Sequence, residues 1–249
     1  GVWIMAYTTI DDPSEYFNTV LWTGNGTDNT SITGVGFQPD FLWGKQRNTT
    51  RSHRLINSSI TTDYLQSNTN DAEASVSGLF DSFDSDGFTI DDASALNQSS
   101  GTYVGWNWKC NGGTTSSNTS GSITSTVQVN DTAGFSIVTY TGNGTEGATV
   151  GHGLSNAPEI ILCKNRSEAE NWAVYALDGQ STLFLNLTNA ENTTDYTWDS
   201  TNTTNSVTRL GSGDLTNKNT NNYIHYCFHS VKGYSKFGSY TGNGNADGT

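Results

Sequence analysis

The sequence predicts an all-β chain: two tandem β-sandwich, jelly-roll-like repeats, with a short N-terminal arm before them and one strand of a third repeat after them. Three observations predict it. Short apolar–polar alternations separated by Asn-Gly, Asp-Gly and Gly-Ser dominate the chain, which is the pattern of strands joined by tight turns. One set of motifs recurs after ~100 residues, too long a period for a solenoid unit of ~20–50 residues. Only 33% of the residues are hydrophobic, yet the chain holds 7 Trp, 11 Tyr and 10 Phe. Few but large apolar side chains suit thin sandwiches, because each aromatic buries ~150–250 Å².

The elements follow in chain order. Asp12-Pro13-Ser14-Glu15 carries the cap, N1 proline and early acid of a short helix. Thr-Gly-Asn-Gly occurs at residues 23–26, 141–144 and 241–244, each time after an aromatic-ended strand (Trp22, Tyr140, Tyr240), and reads as a hairpin turn. Pro39 and Pro158 each precede a lysine, Lys45 and Lys164, by six residues. Tyr103-Val104-Gly105-Trp106 aligns with Tyr223-Ile224-His225-Tyr226. Alternation predicts strands over 135–140, 159–163, 172–175, 183–187 and 223–228, and 70–80 reads as a further helical turn or two.

These matches set the boundaries: an arm at 1–19, repeats at 20–111 and 134–232, and a third-repeat strand at 233–249. The Gly/Ser/Thr-rich segment 112–133 reads as a flexible linker.

Charge and cysteine bound the function. Eleven Lys and Arg against 24 Asp and Glu give −13, with a pI near 4.4 and no evident basic patch, so nucleic acid is not an expected partner. No apolar run reaches ~18 residues, so no membrane insertion by a helix is expected. Cys110, Cys163 and Cys227 are too few for a disulfide framework, although Cys163 and Cys227 are open to pairing. Met5-Ala6-Tyr7 reads as a natural start without a cationic leader, so standard secretion is not expected.

Several residues are candidates for chemistry. His225, Cys227 and His229 alternate, which places all three on one strand face as metal-ligand types, but they span ~13 Å, too far for one ion. Asp84-Ser85-Asp86-Gly87, with Asp91 and Asp92, resembles part of a calcium loop but lacks the terminal bidentate glutamate. Calcium is thus the one cofactor to consider, and a turn is the simpler reading. No nucleophile elbow, phosphate loop or spaced carboxylate pair marks an enzyme. Among the tryptophans, Trp198 is the candidate for a ligand contact. About 12 Asn-X-Ser/Thr sequons, including Asn25, Asn48, Asn57, Asn118, Asn143, Asn186, Asn192 and Asn202, are glycosylation candidates in a host with the enzyme.

The strings beginning at Met5, Gly112-Gly113-Thr114-Thr115-Ser116-Ser117-Asn118-Thr119, Gly134-Phe135-Ser136-Ile137-Val138-Thr139-Tyr140 and Gly233-Tyr234-Ser235-Lys236-Phe237-Gly238-Ser239-Tyr240 resemble a family of tailed-phage virion proteins known from cyanophages and aquatic metagenomes. The resemblance covers nearly the whole chain. It implies a virion location after assembly in the host cytoplasm, and a β-sandwich repeat of unknown function in structural or tail-fibre-like proteins. It carries over no catalytic residue. The expectation is a non-enzymatic tail-fibre or appendage subunit that attaches to host-surface glycan. Its partners would be copies of itself (a trimer or higher) and other virion proteins. The alternatives are a capsid decoration or head-fibre protein, and a self-assembling surface filament or adhesin subunit that donates a strand containing Tyr234, Phe237 and Tyr240. Family members are usually longer, so the sequence ending within a third repeat reads as a fragment or a donated strand.

Overall fold

The structure is a computed structural model, and it describes residues 8–177, 181–193, 197–199 and 203–246. A 3-10 turn at Pro13–Glu15 is capped by Asp12, which accepts from the Ser14 N–H at 2.9 Å as the sequence predicts. Then follow β1 (Phe17–Thr23), β2 (Thr30–Thr33), β3 (Phe41–Gln46), β4 (Arg54–Asn57), β5 (Ile60–Leu65), β6 (Ala74–Ser75), β7 (Phe80–Asp84), β8 (Gly87–Ile90), α1 (Ser94–Asn97) and β9 (Thr102–Trp108). The second half holds β10 (Ser116–Asn118), β11 (Ser125–Asn130), β12 (Phe135–Thr141), β13 (Thr149–Gly151), β14 (Ile160–Asn165), β15 (Ala173–Ala176), β16 (Leu183–Phe184), β17 (Val207–Arg209) and β18 (Asn222–Phe228).

The chain is all-β with several antiparallel sheets, consistent with a sandwich. The first half forms a six-stranded sheet, β1-β9-β3-β4-β5-β6, and a three-stranded one, β2-β8-β7. The second forms a seven-stranded sheet, β10-β11-β12-β18-β14-β15-β16, and a two-stranded one, β13-β17. Within the large sheets, β1-β9-β3-β4-β5 and β12-β18-β14-β15-β16 run in the same order.

Three cores explain the layers. Leu42, Val20 and Ile56 of the first large sheet pack on Ile32, Phe88 and Ile90 of its small sheet. Val138, Tyr223 and Cys163 of the second pack with Val150, Trp198 and Leu210. The third core lies between the two large sheets, where Phe41 and Leu55 meet Phe135, Ile137 and Tyr226. Phe41 stacks on Tyr226 with ring centroids 4.3 Å apart. Each large sheet is therefore buried on both faces. This is why β18 reads as the near-continuous run Tyr223-Ile224-His225-Tyr226-Cys227-Phe228, with Ile224 and Tyr226 in the central core and Tyr223 and Cys227 in the outer one.

Four sequence expectations are corrected. Segment 112–133 is no flexible linker: β10 and β11 lie in the second large sheet, and its start is clamped. Gly112 and Gly113 take φ of +59° and +76°, which aims their N–H groups at the buried Asp40 carboxylate. Asp40 also accepts from Cys110 N at 2.6 Å and Ser58 Oγ at 2.7 Å. Thr-Gly-Asn-Gly is a corner rather than a hairpin, because β1 pairs with β9 and then crosses to β2 in the small sheet. Buried Asn97 accepts from Asn25 N at 2.9 Å, and buried Asn217 accepts from Asn143 N at 2.9 Å. Residues 70–80 hold the short strand β6 and then a single turn, in which Val76 O accepts from Leu79 N at 2.8 Å and Phe80 N at 3.1 Å, with no assigned helix. The C-terminal strand is absent among the described residues, where only a Val231–Ser235 bridge forms. Tyr234 instead packs edge-on against Tyr16, and Phe237 packs against Phe228. Tyr240 is 94% exposed.

Candidate functional site

The site is built where β3 ends. Gln46 closes that strand, and a loop leads to Arg54 at the start of β4. The Lys45 amine pins the loop by donating to the carbonyls of Gln46 and Thr49. Asn48 Oδ1 accepts from Thr102 N and Gln46 Nε2, both at 3.2 Å. Opposite lies the turn into β9, fixed by Tyr103, whose hydroxyl accepts from Gln98 N at 2.7 Å and donates to Ser94 O at 2.9 Å. Between the two loops opens a polar cleft of about 530 Å³, lined by Gln46, Asn48, Thr49, Arg51 and residues 98–101. Gln46 is 2% exposed, and its Oε1 has no hydrogen-bond partner.

Arg51 is the cationic residue among those that line the cleft, and three more cations lie near it in sequence. Lys45, Arg47, Arg51 and Arg54 are four of the 11 cationic residues, and residues 41–62 contain no Asp or Glu. Burial lowers the His53 pKa, and the Lys45 charge lowers it further. Arg54 is engaged: it donates to Gln66 Oε1 at 2.8 Å and lies 4.8 Å from the centre of the Tyr64 ring. Arg51 is exposed and forms no ion pair among the described residues. A net charge of −13 masks this local run of cations in the sequence.

The same place in the second half is closed. Asn165 follows Lys164 as Gln46 follows Lys45, but its Oδ1 accepts from Ser167 N at 3.0 Å and Glu168 N at 3.2 Å. Lys218 follows Asn217 as Gln98 follows Asn97, and its amine meets Glu168 at 2.6 Å and Asp214 at 3.7 Å. The Glu168 contact raises the Lys218 pKa and lowers that of Glu168. Lys164 is fully buried and donates to Asn165 O at 2.6 Å, and burial pushes its pKa down to about 8.

A second cavity, about 360 Å³ and apolar, lies beside the central core between Trp43, Trp108, Leu162, Phe228 and the C-terminal Tyr234 and Phe237.

The sequence-predicted sites are dispersed. His225 and Cys227 share a face as expected, but no group of three His, Cys, Asp or Glu among the described residues is placed to hold a metal. Tyr140 donates its hydroxyl proton to Thr216 O at 2.6 Å, so His225 Nε2, 2.9 Å from the same oxygen, is the donor to it. Burial lowers the His225 pKa to about 3. His229 lies beyond the strand, with Nδ1 on Ser230 O at 3.0 Å. Asp84 accepts from Ser82 and Thr89 and braces its own hairpin, whereas Asp86 accepts from the Gly36 and Gly34 N–H groups at 2.6 and 3.2 Å and ties that hairpin to the loop after β2. Trp198 is a core residue packed against Tyr175 and His225, not an exposed platform. Cys163 and Cys227 are unpaired, and burial raises both thiols.

The sequons divide by exposure. Asn25, Asn48 and Asn143 are exposed, and Asn118, Asn186 and Asn192 are half-buried. Asn57 is buried, donating to Tyr226 at 3.1 Å, because it faces the central core. Asn202 lies outside the described residues, as does the start of the arm.

Fold and cleft together define an all-β scaffold that presents a polar loop site, with Arg51 on its wall, at the end of one sheet. The chain belongs to the DUF7483 family, a domain of unknown function, whose model matches residues 12–249. No curated protein and no solved structure matches it. No helix among the described residues is long and apolar enough to cross a membrane.

Proposed function

We propose that the chain is a non-enzymatic virion protein of a tailed phage, a fibre or appendage subunit that attaches to host-surface glycan. In this reading its two halves are tandem copies of one fold. The reading rests first on the sequence resemblance to phage virion proteins. The observation that carries the glycan part is the polar cleft between loops held by a doubly buried sheet, since rigid scaffolds bearing loops are a common platform for recognition. The tandem part is supported by matching strand order and by matching bonds. Tyr223 donates to Asp214 O and accepts from Lys218 N, as Tyr103 does with Ser94 and Gln98. The test incubates the purified chain with immobilised envelope polysaccharides and measures both retention and reducing ends. Retention without new reducing ends supports attachment. Release of reducing sugar would replace the reading with a depolymerase, and absence of retention on every polysaccharide would remove the glycan part.

A second reading, self-assembly by strand addition, is favoured by β1, whose outer edge carries no paired strand among the described residues and exposes Leu21 at 63%. Light scattering of the chain and of Leu21→Lys tests it: an oligomer that the lysine dissolves supports edge pairing, and a monomer in both excludes it.

A further inference from the structure

We infer that the cleft at the end of β3 binds an acidic saccharide, with the Arg51 guanidinium on a carboxylate or sulfate of the sugar. The inference rests on the glycan reading above and adds the place and the charge class.

The two halves differ in the counter-ion at this position. In the second half the matching position is self-neutralised, because Lys218 meets the carboxylate of Glu168 at 2.6 Å. In the first half the uncharged Gln98 stands where Lys218 stands, and no acid lies between residues 41 and 62. Lys45 donates to the loop itself, and one terminal nitrogen of Arg54 donates to Ser52, His53 and Gln66. Arg51 keeps an exposed guanidinium without an acid among the described residues. A guanidinium fork matches a carboxylate or sulfate with two parallel hydrogen bonds.

The second observation is independent of charge. Gln46, which lines the cleft, is 2% exposed and holds an amide oxygen without a partner. The Gln46 amide nitrogen donates to Asn48 Oδ1 at 3.2 Å and to Gln98 Oε1 at 3.4 Å, and so holds in place the two exposed amides that border the cleft and would meet sugar hydroxyls beside the acidic group. The overall charge of −13 works against loose binding of polyanions, so retention of an acidic sugar has to be local to this cleft.

The test titrates the isotope-labelled full chain with trigalacturonic acid and, separately, with maltotriose, following the side-chain amides of Gln46, Asn48 and Gln98. The expected result is that trigalacturonic acid shifts these amides, and that Arg51→Ala weakens binding roughly ten- to a hundredfold. Arg51→Lys should retain part of the affinity, and Lys218→Ala should leave it unchanged. Unchanged melting temperatures in the variants show that the fold is intact. If maltotriose shifts the same amides equally in wild type and Arg51→Ala, the acidic class is overturned while the glycan reading stands. If neither sugar moves them, the cleft assignment is overturned, and retention on whole polysaccharides judges the glycan reading separately.

Discussion

β1 and β12 hold the same place in their sheets, yet β12 is flanked by β11 and β10 whereas β1 has no outer neighbour among the described residues. The Gly24 N–H to Gly101 O bond (2.8 Å) and the Lys109 N–H to Tyr16 O bond (2.9 Å) turn the even-numbered peptide groups of β1 toward β9. Antiparallel alternation then aims Phe17, Thr19, Leu21 and Thr23 outward. In β12 the corresponding groups meet β11, with Ile137 opposite Gln128. In β1 the Thr19 N–H is taken up by the Asn18 side chain at 2.9 Å, a local cap on an open edge. The polar cleft repeats the contrast: open in the first half, closed by Lys218 and Glu168 in the second. The two large sheets have a like strand order, and they differ at edges and loop tips, where a change disturbs little packing.

The largest expected effect tests whether the halves are separable at all. Phe41→Ala removes the ring that stacks on Tyr226, Trp108 and Phe135, and should cost ~3–5 kcal/mol. Urea unfolding should show both halves weakened in one transition; loss confined to the first half would mean that the central core does not couple them.

Next come Asp40 and its counterpart Glu159. Asp40→Ala strands the N–H groups of Cys110 and Gly112 and leaves Gly113 N–H only its bond to Gln128, and should cost ~3 kcal/mol or more. Glu159→Ala strands chiefly the Ser230 N–H and should cost ~1–3 kcal/mol. Equal losses in chemical denaturation would contradict the clamp at 112–113.

The two corners should then prove equivalent. Asn97→Ala and Asn217→Ala each free a backbone donor and the carbonyls of Thr27 and Thr145, so each should cost ~1–3 kcal/mol. A large difference in melting temperature between the two variants would break the parallel.

A pH dependence, negligible at neutral pH and growing only in acid, also separates the halves. His152 and His225 are buried in the second half, and burial lowers their pKa values to about 4 and about 3. The unfolded chain takes up these protons near pH 6.5, so their contribution is complete above that pH and is lost as pH falls toward 4 and 3. The expected slope is up to ~1.4 kcal/mol per pH unit for each histidine. His225→Gln should flatten it in acid titrations of stability; an unchanged slope would assign the acid sensitivity elsewhere.

Much of this was legible in the residues. The five strands predicted in the second half form as β12, β14, β15, β16 and β18, with ends shifted by a few residues. The capped turn at Asp12 forms as well. The candidate site was not legible. Trp198 looked like a loop aromatic, but it fills the outer core against Tyr175. Gln46 and Arg51 carried no motif, and their interest arises only from what the fold leaves unpaired around them.

The Thr-Gly-Asn-Gly phrase shows where the line falls. At all three copies the asparagine side chain accepts from the N–H two residues on, at 2.9 Å from Thr27, 2.9 Å from Thr145 and 3.0 Å from Asn245. The following glycine takes positive φ each time: +72°, +68° and +74°. Sequence alone determines that local turn, because donor and acceptor are two residues apart and need no other support. Whether the turn becomes a corner locked by a buried asparagine was decided by tertiary structure. Asn97 and Asn217 arrive from more than seventy residues away, and the third copy stays exposed. The same holds for the linker that became β10 and β11, and for strands buried on both faces: a run of residues states what it can bury, and only the packed neighbour fixes what it does bury.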